Sequence, residues 1–364
     1  MFYEALPWTL PFNSNAIIPV ERMLLPSTTS PKVQVIRTMS DVKMDEVAPG
    51  IHLIKVPLPD NPLKELNSYL IEDSARPLLI DVGFDRPECE EALDAALRSL
   101  GYTFNDIDVL FTHSHPDHIG CIPRIWNESM TLYANFESFR DAHTISKLQK
   151  RIYLPLMDAI FGSHAADKGR YGSIPNEYMP FSIHFPIKFL GEGDTLKKGG
   201  YTFEVIETPG HDDHHICLYE RKHKIMVVGD HVLERITPNI SSYLLETDKL
   251  SEFLDSLDKI RGYDVDLVLP GHAEPFTEMA RRIDELKAHH AARLEEMVDL
   301  VRAGHSDLID ITASATWKYP DWHNWAPAQK YFSMGETLAH LVHAVHQKRL
   351  TMTICGNAVT FSPV

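Results

Sequence analysis

The stretch THSHPDHIG at residues 112–120 constrains the fold and chemistry of this chain more than any other feature. Within six residues it places four potential metal ligands, namely His113, His115, Asp117 and His118. An apolar run at 107–111 leads directly into it, which is typical of a strand that ends at the motif. So many imidazoles beside a carboxylate would make a poor core. They suit a cation-binding site, which would need further ligands from other parts of the chain.

Three further candidate ligands lie at the ends of apolar runs: His211 in ETPGHDDHH, Asp230 in VVGDH and His272 in LPGHAE. Each follows a glycine, which lets the backbone turn tightly so that the next side chain points out of the sheet end. Imidazole suits zinc, iron and nickel, and a carboxylate can bridge two ions. Five histidines and two aspartates are too many for one tetrahedral site. They fit two sites that share a carboxylate and keep a position open for water.

Length and composition narrow the class of protein. A chain of 364 residues suggests about two domains, at roughly 150 residues per domain. Its net charge of −16 disfavours nucleic acid as the main partner. The four cysteines form no CxxC pair, which favours reduced thiols in the cytoplasm. We find no run of the ~18 apolar residues that a membrane span needs and no signal-peptide pattern at the start, so we predict a cytoplasmic enzyme without membrane contact.

Local composition and hydrophobic pattern divide the chain into three segments. Residues 1–45 are rich in proline and predict an extended arm. Residues 46–277 alternate short strands with helices, and their strand pairs suggest two sheets packed face to face with helices outside. Within them, 137–186 looks like an insertion that covers a pocket. Residues 278–364 predict helices followed by a hairpin that turns at Gly356-Asn357, a winged-helix-like tail. We expect this tail to serve homodimerisation or pocket closure rather than DNA binding.

The ordered ligand set resembles that of the metallo-β-lactamase fold superfamily over about residues 46 to 275. The resemblance implies an α+β fold, a four-layer αβ/βα sandwich with the site at one edge between the sheets. It also implies that one ion takes His113, His115 and His211. The second ion would take Asp117, His118 and His272, with Asp230 as the bridge. Asp81 in LLIDVG resembles an aspartate of the first family motif that lies near the metals without binding them.

Within the superfamily the chain is most similar to glyoxalase II-like and lactonase-like members. True β-lactamases lack a bridging aspartate, so Asp230 argues against antibiotic hydrolysis. The resemblance implies a dinuclear hydrolase that cleaves a carbonyl ester, thioester or lactone of a small molecule by a metal-bridged hydroxide. The cofactors would be two divalent ions, zinc first, with iron or manganese as alternatives. Asp117 would relay the proton, and Tyr243, in the loop after Asp230, is a candidate oxyanion donor.

Three other functions stay open from the sequence. A mononuclear iron persulfide dioxygenase would need only His113, His115 and His211, and the second set of ligands favours two metals instead. A nuclease of the same superfamily would cleave phosphodiesters and bind RNA through the C-terminal tail. A receptor without catalysis would also keep the fold, because ligands alone do not establish turnover.

Several residues of the tail suggest only structural roles. The helix at about 335–347 carries its apolar side chains on one stripe. Its histidines lie off that stripe, so we predict that they face solvent, and we expect the same of an upstream pair; these residues are His340, His343, His346, His289 and His290. Arg281 and Arg282 look like an ordinary charged pair near a helix start.

Overall fold

The computed structural model describes residues 43–136, 185–241, 245, 247–355 and 358–364. Four predictions fall wholly or largely outside these residues. They are the extended arm, of which only 43–45 are described, the insertion, of which only 185 and 186 are described, the substrate contact Tyr243 and the hairpin turn at Gly356-Asn357.

The first sheet has seven strands in the spatial order in which they follow along the chain. They are β1 Met44–Ala48, β2 Ile51–Pro57, β3 Glu65–Ile71, β4 Leu78–Ile80, β5 Asp108–Leu110, β6 Leu132–Ala134 and β7 Ile187–Phe189. Strands β1 to β4 pair antiparallel, whereas β4 to β7 pair parallel. The parallel part brings the carboxyl ends of its strands to one edge of the sheet.

The second sheet has five strands in the order β12-β11-β10-β9-β8. They are β8 Thr195–Lys198, β9 Tyr201–Glu207, β10 Ile216–Glu220, β11 Ile225–Gly229 and β12 Leu267–Pro270. Strands β10 and β11 are buried along their whole length, which matches their continuous apolar sequence. Only β11 and β12 pair parallel, so their carboxyl ends also meet at one edge.

An apolar layer lies between the two sheets, and helices cover their outer faces. The inner layer combines Leu53 and Leu110 of the first sheet with Phe203 and Leu218 of the second. The helices are α1 Pro87–Ser99, α2 Pro116–Ile119, α3 Ile122–Ile125, α4 Lys249–Arg261 and α5 Met279–Arg302. Residues of α1, α2 and α3 pack on the first sheet, and residues of α4 and α5 pack on the second. The predicted four-layer αβ/βα sandwich is confirmed.

The C-terminal part of the chain has an apolar cluster of its own. It joins residues of α5 to the elements that follow, which are α6 Leu308–Ser314, α7 Pro327–His346, β13 Leu350–Cys355 and β14 Ala358–Pro363. Strands β13 and β14 pair antiparallel. The predicted helices are therefore present, while the likeness to a winged helix stays a prediction. Among the helices of the described residues, none combines the length and apolar character that a membrane crossing requires.

The prediction that the tail histidines face solvent was wrong for three of them. His340 is 0% exposed, His290 1% and His343 8%. Helix α7 packs on two apolar clusters at once, with Leu338 in one and Ala339 in the other. One apolar stripe therefore underestimates how much of the helix is covered. The histidines beside that stripe lie in the contact with α4 and α5.

Candidate metal centre

The candidate ligands sit where strands of both sheets end. His113 follows β5, His211 follows β9, Asp230 follows β11 and His272 follows β12. Main-chain hydrogen bonds join the two sheets at this edge. The amide of Ile216 donates to Thr112 O at 2.8 Å, and the amide of Asn67 donates to Gly271 O at 2.7 Å. The strand ends thus carry the ligands into one cleft between the sheets.

All seven predicted ligands come together in three overlapping groups. Within each group the ligand atoms lie within 4.8 Å of one another. The groups are His113/His115/His211, His113/His118/Asp230 and Asp117/His118/His272. The first and third groups are the two ligand sets that the family resemblance implies, and Asp230 lies in the group between them.

Asp230 occupies the centre of this cluster. Its Oδ2 lies 3.6 Å from His118 Nε2, 3.7 Å from His211 Nε2 and 3.5 Å from His272 Nε2. These separations exceed those of ordinary hydrogen bonds. They match the spacing of two atoms that share an ion, because ligand atoms about 2.1 Å from a tetrahedral zinc lie roughly 3.4 Å apart. The spacing therefore suits ions better than direct contacts between the side chains.

The orientation of the imidazoles also fits metal binding. The Nδ1 atoms of three rings lie near oxygen acceptors: His118 near Asp81 Oδ2 at 2.8 Å, His211 near Asn239 O at 2.8 Å and His272 near Glu65 O at 2.9 Å. The Nε2 atoms of the same rings are buried without a hydrogen-bond partner among the described residues. A buried polar atom without a partner costs free energy. A metal ion would satisfy it, with the acceptor on Nδ1 fixing the tautomer.

Asp81 lies behind the ligands, as the resemblance implies. Its Oδ1 accepts a hydrogen bond from the Thr112 amide at 2.9 Å, and its Oδ2 accepts from Thr112 Oγ1 at 2.7 Å. The same Oδ2 takes the bond from His118 Nδ1. Asp81 itself adopts a left-handed backbone with φ of 59°, a conformation that aspartate tolerates better than most residues. Asp81 therefore lies where it can orient the His118 ring.

The surroundings shift the pKa values of the candidate ligands in different directions. Burial and the imidazole of His115 lower the pKa of His211 to about 4. Burial alone would lower the pKa of His272 as well, but the carboxylates of Asp230 and Asp117 outweigh it and raise this pKa to about 10. Burial opposes the charge of Asp117, yet His118 and His272 prevail and lower its pKa to about 2. Ionised carboxylates in a buried site are stabilised by positive charge beside them, which divalent cations would supply.

Sequence reasoning missed one connection between the ligand loops. Asp212, part of the unusual HDDHH segment, accepts a hydrogen bond from Ser114 Oγ at 2.5 Å and another from the His214 amide at 2.7 Å. Ser114 lies between His113 and His115, while Asp212 follows His211. The bond therefore ties together the two loops of the first ligand group. Nothing in the spacing of the sequence reveals it, because the partners lie 98 residues apart.

Gly271 gives a test of this packing. A Cβ at this position would lie 2.4 Å from Asp230 Oδ1 and 2.9 Å from His118 Cε1. We expect Gly271→Ala to displace the Asp230 carboxylate and weaken metal binding by more than about tenfold, the scale on which disturbed ligand orientation acts. Metal titration of the apoprotein measures this. Gly262→Ala is the matched control, because a Cβ there meets nothing within 4 Å. Equal metal affinity in the two variants would contradict the expected displacement.

Comparisons with known proteins bear on this cluster. The model of the metallo-beta-lactamase superfamily matches residues 64–272, a span that contains all seven candidate ligands. A probable metallo-hydrolase of Bacillus subtilis is 26% identical over 322 residues, which is 85% of this chain and 96% of that protein. An atrochrysone carboxyl ACP thioesterase of Aspergillus fumigatus is 23% identical over 244 residues, covering 67% of this chain and 46% of that protein.

A solved structure has a similar overall fold. It is the crystal structure of a metallo-beta-lactamase family protein from Thermus thermophilus, with a TM-score of 0.71 and 26% sequence identity. The likeness covers 88% of this chain and 100% of that one. The similarity therefore extends beyond the residues of the family model and includes most of the chain.

Proposed function

The chain belongs to the metallo-beta-lactamase superfamily and is a metal-dependent hydrolase, and from this premise we propose that it hydrolyses a carbonyl ester, thioester or lactone with two divalent ions. One observation carries the proposal. Asp230 Oδ2 lies within 3.7 Å of imidazole nitrogens from both ligand groups, namely His211 on one side and His118 and His272 on the other. A carboxylate so placed suits a bridge between two ions better than a ligand of one.

The donor set suits zinc, with iron or manganese as alternatives. Imidazole nitrogens and carboxylate oxygens are ordinary zinc ligands, and each group offers three protein ligands, the number typical of a catalytic site with a place left for substrate. A pair of divalent ions in such a centre lowers the pKa of water and polarises a carbonyl group. We propose His113, His115 and His211 for one ion, Asp117, His118 and His272 for the other, and Asp230 for both.

The protein side chains would then direct the proton. The Asp117 side chain is 14% exposed and that of Asp230 is 9% exposed. Asp117 is thus the more accessible of the two carboxylates. We assign to the Asp117 carboxylate the acceptance of a proton from the attacking water and its transfer to the leaving oxygen or sulfur. Asp230 remains a ligand, and Asp81 holds His118 in place through Nδ1.

The comparisons favour a thioester among the three carbonyl substrates. One relative is named as a thioesterase, although less than half of that protein matches this chain. The net charge of −16 disfavours an extended polyanion such as RNA. We therefore rank an acyl thioester first, followed by aryl esters and lactones.

Elemental analysis combined with a substrate panel tests the proposal. The panel contains acyl-coenzyme A thioesters, aryl esters, lactones and phosphodiesters, and kcat/KM is measured for each with the metal-loaded protein. We expect two divalent ions per chain, hydrolysis of the carbonyl substrates and no cleavage of phosphodiesters. One iron per chain with oxygen consumption on glutathione persulfide would overturn the hydrolase assignment. Selective phosphodiester cleavage would replace it with a nuclease.

A further inference from the structure

The loop at 231–241, directly after Asp230, orients the imidazole ring of His211, another candidate ligand. This loop contains neither helix nor strand, and its Val232 and Ile240 are fully buried. The carbonyl oxygen of Asn239 lies 2.8 Å from His211 Nδ1. That acceptor directs Nε2 of His211 towards Asp230. The position of the loop therefore decides the orientation of His211.

Arg282, on the first turn of α5, binds this loop at two points. Its Nε donates to Leu233 O at 2.7 Å and its Nη2 donates to Ile236 O at 3.0 Å. The side chain is only 14% exposed. A guanidinium holds its donors in a rigid fork, so two carbonyls bound at once fix the path of the backbone between them. The third contact of Arg282 is with Glu285 at 3.2 Å, on its own helix.

A second attachment comes from α7. Asn239 Nδ2 donates to Phe332 O at 3.3 Å, and the residue that makes this bond is the one whose carbonyl faces His211. The C-terminal helices thus hold the loop at both of its halves.

We propose that Arg282 is a positioning residue of the metal centre. By holding the loop at Leu233 and Ile236, it keeps the Asn239 carbonyl against His211, and so sets the affinity for the ion that His113, His115 and His211 bind. This inference rests on the proposed function in one respect, which is that the cluster binds ions. It assigns to the C-terminal helices a part in building the centre.

The neighbouring arginine offers a matched control. Arg281 has the same chemistry and lies on the same turn, but its side chain is 60% exposed. It binds only glutamates, Glu278 and Glu285, and no carbonyl of the loop among the described residues. Its replacement removes a comparable charge from the same helix and leaves the loop untouched.

The experiment compares Arg282→Ala, Arg282→Lys and Arg281→Ala. The two ion affinities of each full-length variant are measured by competition with a chelator, and the visible spectrum of the Co²⁺-loaded form reports the ligand geometry. We expect Arg282→Ala to bind one of the two ions about 10–100-fold more weakly, the usual cost of losing a group that orients a ligand. The other ion should keep its affinity, and Arg281→Ala should match the wild type. Arg282→Lys should fall between them, because an ammonium cannot reproduce the two-point fork.

The outcomes separate the possible failures. If the wild type binds two ions and Arg282→Ala binds both equally well, the positioning role is wrong while the proposed function stands. A lower melting temperature with an equal weakening of both ions would mean that Arg282 acts only on general stability. If Arg282→Ala does not fold, the lysine variant decides, and wild-type affinities in it overturn the inference. A wild-type protein that binds no ion would overturn the proposed function first, and this inference with it.

Discussion

An Asp230→Ala variant is expected to lose at least one of its two ions and more than about a hundredfold in kcat/KM. The loss of a group that merely orients a ligand already costs about 10–100-fold, and Asp230 stands between both ligand groups. Its removal would also leave His118, His211 and His272 without the carboxylate that they share. Ion content after gel filtration, together with kcat/KM on the best substrate of the panel, measures the effect.

Asp213→Ala is the control for Asp230→Ala. Asp213 lies two residues after His211, but its carboxylate binds Lys249 at 2.7 Å and is 53% exposed. The same substitution there should leave both ion content and turnover close to those of the wild type. Full activity and two ions in the Asp230→Ala protein would refute the shared-carboxylate centre and the mechanism that depends on it.

The sequence was sufficient to predict the sandwich and to identify the candidate ligands that the structure brings together. Buried strands such as β10 and β11 have unbroken apolar sequences, and glycines mark the point where the chain leaves each sheet. Gly210 and Gly229 have φ values of 133° and 44°, which lie in the region that favours glycine. A Cβ on Gly210 would lie 2.5 Å from Phe253 Cα. The backbone conformation thus requires glycine at both positions, and the close approach of α4 also requires it at Gly210, and such glycines are visible in a single sequence.

Short and half-exposed elements escaped the prediction. Strand β8, Thr195–Lys198, has only one buried residue, and its sequence TLKK has the composition of a loop. It is a strand because it pairs with β9 along its length. Helix α6 is similarly brief and depends on its cap, since the Asp307 side chain accepts hydrogen bonds from the first turn. Pairing and packing across the chain, more than local preference, decide such segments.

Contacts between distant side chains and main chain were also beyond the sequence. Arg282 looked like one of an ordinary charged pair, yet it binds carbonyls 49 and 46 residues away. Asp212 and Ser114 meet only because two sheets place their loops side by side. Such bonds depend on where an irregular loop runs, and no periodicity encodes that path. The family pattern predicts the ligands but leaves open which residues hold them in place.

The buried histidines of the C-terminal helices should make the protein sensitive to acid. His290 Nδ1 and His340 Nε2 lie 3.2 Å apart between α5 and α7. Burial, reinforced by the neighbouring imidazole, lowers the pKa of His290 to about 2. Burial also lowers the pKa of His340 to about 4, although its bond to Glu336 O partly opposes this. Both rings are thus neutral in the folded state at pH values where an unfolded histidine is charged.

The direction in which pH changes the free energy of unfolding follows from the difference in proton binding between the unfolded and folded states. Below the ordinary histidine pKa of 6.5 the unfolded chain takes up protons that the folded pair refuses, so the free energy of unfolding falls as the pH falls from about 6.5 towards 4. Each histidine contributes a slope of up to about 1.4 kcal/mol per pH unit in this range. The contribution is fully present above pH 6.5. We expect the free energy of unfolding of a His290→Leu/His340→Leu protein to depend less steeply on pH than that of the wild type.

Urea unfolding of the metal-free protein between pH 7 and pH 4.5 measures these slopes, with EDTA present so that loss of ions does not contribute. The other buried imidazoles titrate equally in all variants, so the difference between slopes isolates the pair. His346→Gln is the control, because His346 is exposed on the same helix and should leave the slope unchanged. The double variant will differ in stability at pH 7 through packing alone, which shifts its curve without tilting it. Parallel curves for wild type and double variant would show that the pair carries no acid sensitivity, and that other buried imidazoles account for it.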